Sequence, residues 1–319
     1  MPITRPSAVA LALALLTAAC ATPPPELPSA AELSRPHLMM IRQTDPTVHV
    51  DPGRPAQGPQ AVAGFGLVGL VAAVATAAVI HGIEQSNAQA RRSRSETLKE
   101  LLGPSGEVGL ELDAQMREQL AAVVAAGPRT QIVRIGTLSS TEQLAPQGEG
   151  TFIVELGAML AQDARSVVVQ AEVIHTRRII EERMLPSRIR YFLALSAPIA
   201  AATEEEAVAA WRANDYAQLR QAIRAMVPEL MVQLRSVLLD PEEIDYAKLP
   251  QVTTTVPGVS LVLLRQPNQP VRTTHVTGPL RGSLIRQTTE RGYIALLAGP
   301  DIWIWVSLPA TALPSAAAS

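Results

Sequence analysis

FIVELGAML at 152–160, VVVQAEV at 167–173 and IRYFLAL at 189–195 decide the fold. In each run apolar side chains fall on every second residue: Phe152, Val154, Leu156, Ala158 and Leu160; Val167, Val169, Ala171 and Val173; then Ile189, Tyr191, Leu193 and Leu195. A period of two is the signature of a strand with one face against a core. Asp163-Ala164-Arg165 makes a polar turn between the first two runs, and a longer connection through 177–187 separates the second from the third. The expectation is an antiparallel meander covered on one side.

Helices on either side supply the cover. Leu112, Met116, Leu120 and Val124 recur every four residues, with Val123 beside them, and Gly127-Pro128 stops the run, which predicts a helix over 110–126. A strand is predicted over 130–135. Thr203 with Glu206 has the spacing of a capping box, and Glu204–Glu206 suit the positive end of a helix dipole. Val208, Trp211, Leu219, Ile223, Leu230 and Leu234 form the stripe of the long helix that follows. Pro228 interrupts it, and an interior proline costs about 3 kcal/mol, so a kink or restart is expected near 227. From 252 onward short β-like runs alternate with Pro-Asn, Gly-Pro and Arg-Gly turns, either as a second small domain or as an extension of the first sheet. The expected class is α+β, an antiparallel β-meander packed with helices, plus a small C-terminal all-β unit and a Gly/Ala-rich apolar helix near the N-terminus.

The beginning of the chain has a different texture. Arg5 precedes the apolar run AVALALALLTAAC, residues 8–20, which ends on the single cysteine. A positive start, a short apolar stretch and small residues are the parts of an export signal, and the run is shorter than the roughly 20 residues that span a bilayer. Nine prolines between 23 and 59 make residues 20–60 read as an extended tether. Residues 61–83, AVAGFGLVGLVAAVATAAVIHGI, carry no formal charge and are long enough to span, with Arg91, Arg92 and Arg94 behind them. Gly69, Ala73 and Ala77, four apart, form a small-residue stripe that lets another helix approach. This stretch can span, pack within the protein or on a partner, or lie on a membrane surface. Gly64, Gly66 and Gly69 satisfy G-x-G-x-x-G, but that motif needs a strand before it and a helix after it, and here the tether precedes it. The expected organisation is 1–19 signal peptide, 20–60 tether, 61–102 apolar and basic helix, 103–250 α+β domain, 251–312 small β domain, and 313–319 tail.

Composition narrows the function. Lys+Arg is 27 against Asp+Glu 29, a net charge of −2, and aromatics are 3%, so neither the basic stripe nor the aromatic platforms of a nucleic-acid binder are present. The histidines, at 37, 49, 81, 175 and 275, make no HExxH pair, and there is no G-x-S-x-G elbow. No catalytic, cofactor or metal site is expected from these patterns. Trp303 and Trp305 share one face of a strand, either as core or as an exposed pair for a partner, glycan or lipid.

Thr17-Ala18-Ala19-Cys20 resembles a bacterial lipobox, with Thr where Leu is commonest. The resemblance implies cleavage before Cys20, its diacylation and acylation of the new N-terminus. Together with the tether, the Gly/Ala segment and Arg cluster of 64–94, the meander, and a helix carrying Trp211 with Asn214-Asp215, the plan resembles a loose class of uncharacterised bacterial outer-membrane lipoproteins. With Ala21 rather than Asp after the cysteine, the resemblance favours the outer membrane, periplasmic face; a spanning 61–83 would instead mean the inner membrane. The implied role is non-catalytic envelope binding or assembly. Its partners are the bilayer through acylated Cys20 and an envelope protein or a second copy through 61–83. The alternative is a lipoprotein binding a small ligand, lipid or glycan, with a hydrolase as a third class.

Overall fold

The structure, a computed structural model, describes residues 34–42, 48–50, 89, 93–126, 130–138, 150–177, 188–239, 244–263, 272–299 and 302–313. The strands are β1 His37–Arg42, β2 His49–Val50, β3 Ile132–Leu138, β4 Gly150–Leu160, β5 Val167–Arg177, β6 Arg188–Leu195, β7 Gln251–Leu263, β8 Arg272–Gln287, β9 Arg291–Gly299 and β10 Ile302–Pro309. The helices are α1 Gly106–Ala125 and α2 Glu204–Leu234, and residues 93–102 are also helical. All ten strands lie in one mixed sheet of order β3-β1-β4-β5-β6-β10-β9-β8-β7, with β2 on β4, so the class is α+β. The meander is antiparallel, Val154 opposite Val173 and Ala171 opposite Phe192.

The small β domain expected over 251–312 shares this sheet. Its four strands are antiparallel neighbours, and β10 closes onto β6 in parallel, Ile304 against Tyr191 and Val306 against Leu193. That seam joins strands more than a hundred residues apart, so no local pattern could announce it.

The helices cover one face. Met39, Ile41, Phe152, Val154, Leu156, Val169, Ala171, Val173 and Phe192 point into this core, against Leu112, Met116, Leu120, Trp211, Leu219, Ile223 and Leu230. Trp211 is fixed by its indole N–H, which donates to the Ala164 carbonyl at 2.7 Å in the 163–165 turn. A second core lies on the opposite face, where Val168, Leu193, Leu195, Ile294, Leu296, Ile304 and Val306 gather and Leu313 folds over them. The third run therefore differs from expectation: Leu193 and Leu195 face this second core, and Phe192 and Ala194 face the helices. β6 is a central strand buried on both sides, and such strands lose the alternation.

Two further expectations are corrected. The tether of 20–60 is interrupted by β1, a parallel strand inserted between β3 and β4 with His37, Met39 and Ile41 buried, and by β2. Pro36 and Pro46 bound this strand rather than preclude it, because the residues between them keep their donors. The capping box of α2 is present, with Glu206 N–H donating to Thr203 Oγ1 at 3.2 Å and the Glu206 carboxylate accepting from Thr203 N–H at 3.4 Å. The break in α2 is not at Pro228. It spans Ala213–Tyr216, where Asn214, Asp215 and Tyr216 have φ of 51, 54 and 59°. Asn and Asp tolerate the left-handed region better than most residues. The Tyr216 hydroxyl holds the break in place by donating to Leu102 O at 2.7 Å, and Arg220 pairs with Asp215 at 2.8 Å. Pro228 is tolerated because it faces solvent, as does Arg224, whose carbonyl loses its donor.

Arg94, one of the cations read as flanking the apolar stretch, is bound into the fold by Glu204 at 2.5 Å and the Gln162 carbonyl at 2.5 Å. Among the described residues no helix is long and apolar enough to cross a membrane. Cys20, Gly69, Ala73 and Ala77, with the signal, the apolar stretch 61–83 and the tail 314–319, lie outside the described residues.

Candidate functional site

The end of α2 does not seal against the sheet beneath it. At Arg235–Leu239 the helix widens into a π turn, a geometry that recurs at functional sites. Opposite, β8 is bulged between Leu284 and Arg286, so that Ile285 is an extra residue over Ile294 and Tyr293 of β9. A bulge re-aims side chains, and here Ile285 and Arg286 both reach one space. Between the π turn, the bulge and the short helical turn Tyr246–Lys248 lies a cleft of about 460 Å³. That volume falls in the range of small-molecule sites.

Its wall is apolar: Val232 and Val237 from the end of α2, Ile244 and Leu249 from the following loop, Ile285, Ile294 and Trp305 from the sheet. Most polar groups of the wall are engaged internally. Gln233 Nε2 donates to Leu193 O at 2.9 Å, Ser236 Oγ to Gln233 O at 3.2 Å, and Tyr293 OH to Glu229 Oε2 at 2.5 Å. Burial pushes the Tyr293 phenol up to about 12, helped by its bond to the Glu229 carboxylate, so it remains a neutral donor. At the mouth Lys248 pairs with Asp245 at 2.8 Å. Arg286, exposed beside them, has no hydrogen-bond or ion-pair partner among the described residues. The buried Gln233 Oε1 also has none.

The two sheet tryptophans are not an exposed pair. Trp303 is 9% and Trp305 2% exposed, and Trp305 stacks on Phe192 at 5.2 Å between ring centroids. Only Trp305 takes part in the cleft wall. Its indole N–H faces the buried Tyr246 hydroxyl without closing a hydrogen bond; burial raises that phenol, and the indole and Arg190 oppose the rise.

Three other clusters stand apart. His37 and His175, both buried at the end of the sheet, pack with Phe152, the imidazole centroids 5.3 Å apart. His37 Nδ1–H donates to Arg35 O at 2.7 Å, and burial holds this imidazole below its ordinary value. On the face away from the helices one rung of the sheet carries Arg42, Glu155, Glu172 and Tyr191 side by side. Burial, with the Glu155 charge second, raises the Glu172 carboxyl to about 8, and Arg42 opposes this. A groove at the break in α2 is lined by Gly106, Arg212, Asp215 and Arg220, whose charges are mutually paired or bound to backbone. No group of three or more metal-ligating side chains occurs among the described residues.

Searches against protein-family models, curated proteins and solved structures find no match to this chain. Apart from Trp305, the cleft residues escaped sequence reading. One signal was available: Leu284-Ile285-Arg286 sets two apolar residues in succession inside an alternating strand, the mark of a bulge.

Proposed function

We propose that this chain is a lipid-anchored periplasmic lipoprotein, held at the outer membrane through acylated Cys20, whose folded body binds a small and largely apolar ligand without transforming it. The cleft under the end of α2 carries the reading. It combines an apolar wall with a packed aromatic, and Gln233 Nε2, Ser236 Oγ and Tyr293 OH keep their protein partners, so an apolar body entering it gains burial without breaking those bonds. Its place beside two backbone irregularities, a π turn and a β-bulge, supports a shaped site over a packing defect. The anchor rests on the lipobox resemblance and the signal segment.

Two measurements test the proposal. Wild type takes up labelled fatty acid and stays with the membrane, and Cys20→Ala does neither; an unlabelled wild type ends the anchor reading. The full chain carrying Cys20→Ala binds the neutral apolar fluorophore N-phenyl-1-naphthylamine, and Ile244→Asp reduces binding at least ten-fold. Equal binding by the Ile244→Asp variant, with its fold retained by circular dichroism, ends the cleft reading.

A further inference from the structure

We infer that the ligand of this cleft is an anionic single-chain amphiphile, its apolar chain lying along the wall and its acidic head at Arg286; this rests on the reading of the cleft as a ligand site. The wall and the mouth differ in a way that selects such a molecule. Along the wall Gln233 Nε2, Ser236 Oγ and Tyr293 OH already serve the protein, and only Gln233 Oε1 and the Trp305 indole N–H are left over, too few to match the many hydroxyls of a glycan. At the mouth the opposite holds. Lys248 has Asp245, while Arg286 has no partner among the described residues. The bulge that brings Arg286 to the mouth also brings Ile285 to the wall, so one irregularity supplies a hydrophobic contact and a cation in adjacent residues. The planar, permanently charged guanidinium is suited to a carboxylate or phosphate, which it can bind through two parallel N–H groups.

The probes are 11-bromoundecanoate and 11-bromoundecan-1-ol, which share a tail and differ in head charge. Bromine quenches tryptophan at contact, and Trp305 is the tryptophan on the wall. With the full chain carrying Cys20→Ala, both probes are expected to quench, and Trp305→Phe to remove most of the quench. The acid binds about five-fold tighter than the alcohol at low salt, and this preference fades as salt screens it. Arg286→Gln brings the ratio to near one by weakening the acid alone. Equal binding of acid and alcohol to the wild-type residue, or an unchanged ratio in Arg286→Gln, overturns the anionic head and leaves the cleft standing. Quenching by neither probe removes the cleft reading and this inference with it. A free fatty acid and a lipid headgroup are then separated by competition: undecanoate displaces the bromo-acid in the first case, and lysophosphatidylglycerol does so better in the second.

Discussion

Replacing Arg291 with alanine is expected to cost about 3 kcal/mol of folding stability. The side chain leaves β9 and is 8% exposed. Its Nε donates to Ser307 Oγ at 2.7 Å, and one Nη donates to Leu195 O at 2.7 Å and Ser307 O at 2.9 Å. Glu229 of α2 stands 3.4 Å from Nε. One guanidinium therefore ties β9, β10, β6 and the long helix together across the seam between the two halves of the sheet. Removing one member of a buried ion pair costs about 3–5 kcal/mol, because the other charge and the abandoned carbonyls remain without partners. The low end applies, since the Glu229 side chain is 25% exposed and keeps the Tyr293 hydroxyl. Equilibrium urea unfolding reads the loss: at a slope of about 3 kcal/mol per molar the midpoint falls by about 1 M. Ser307→Ala removes only one acceptor and should cost about 1 kcal/mol. A midpoint for Arg291→Ala within 0.3 M of wild type (about 1 kcal/mol at that slope) would refute the account of the seam.

Other expectations concern titration and sterics. The folded carboxyl of Glu172 is raised from 4.5 to about 8, so between those values the native state holds the proton more tightly than the unfolded chain, and stability falls as pH rises through that window. Glu172→Gln should flatten this fall in urea midpoints taken from pH 5 to 8.5; an unchanged slope would place its origin elsewhere. His37 acts with the opposite sign. Its folded value lies below 6.5, so its contribution is present above that pH and is lost as pH falls toward the folded value, and His37→Phe should blunt the acid limb seen by circular dichroism. A Cβ on Gly282 would stand 2.6 Å from the Ala295 carbonyl oxygen and would also collide with Leu296 Cδ2, so Gly282→Ala should destabilise by about 1–3 kcal/mol in thermal unfolding; a neutral result would mean that β9 yields freely.

What the sequence disclosed follows from the range of the interactions concerned. The strand runs at 152–160 and 167–173 and the capping box at Thr203 are local patterns, and the structure has them. β6 was recognised as a strand, and its Tyr191, Leu193 and Leu195 face is buried, but in the second core; the burial of Phe192 and Ala194 against the helices was not foreseen. β1 was hidden among prolines, since its stability comes from β3 and β4 far along the chain. The break at Asn214–Tyr216 was masked by the stronger proline signal at 228; it is held by contacts with Leu102 and Arg220 that no propensity records. Of the cleft only Trp305 was singled out, as core or as half of an exposed pair; it is core, and its part in the cleft wall was not foreseen. A π turn, a bulge and a distant loop meet there only after the sheet has closed.

The insertion of β1 has a geometric consequence for an anchored protein. A tether running to residue 60 would allow a leash of about forty residues. With His37 fixed in the sheet between β3 and β4, the covalent path from Cys20 is residues 21–36. At no more than about 3.3–3.6 Å per residue, sixteen residues reach about 55 Å, which sets the greatest height at which the sheet can ride above an acylated Cys20. An anchored copy would sample a shallow layer next to the bilayer rather than the depth of the periplasm, and whatever it binds must come to that layer or already reside in the membrane.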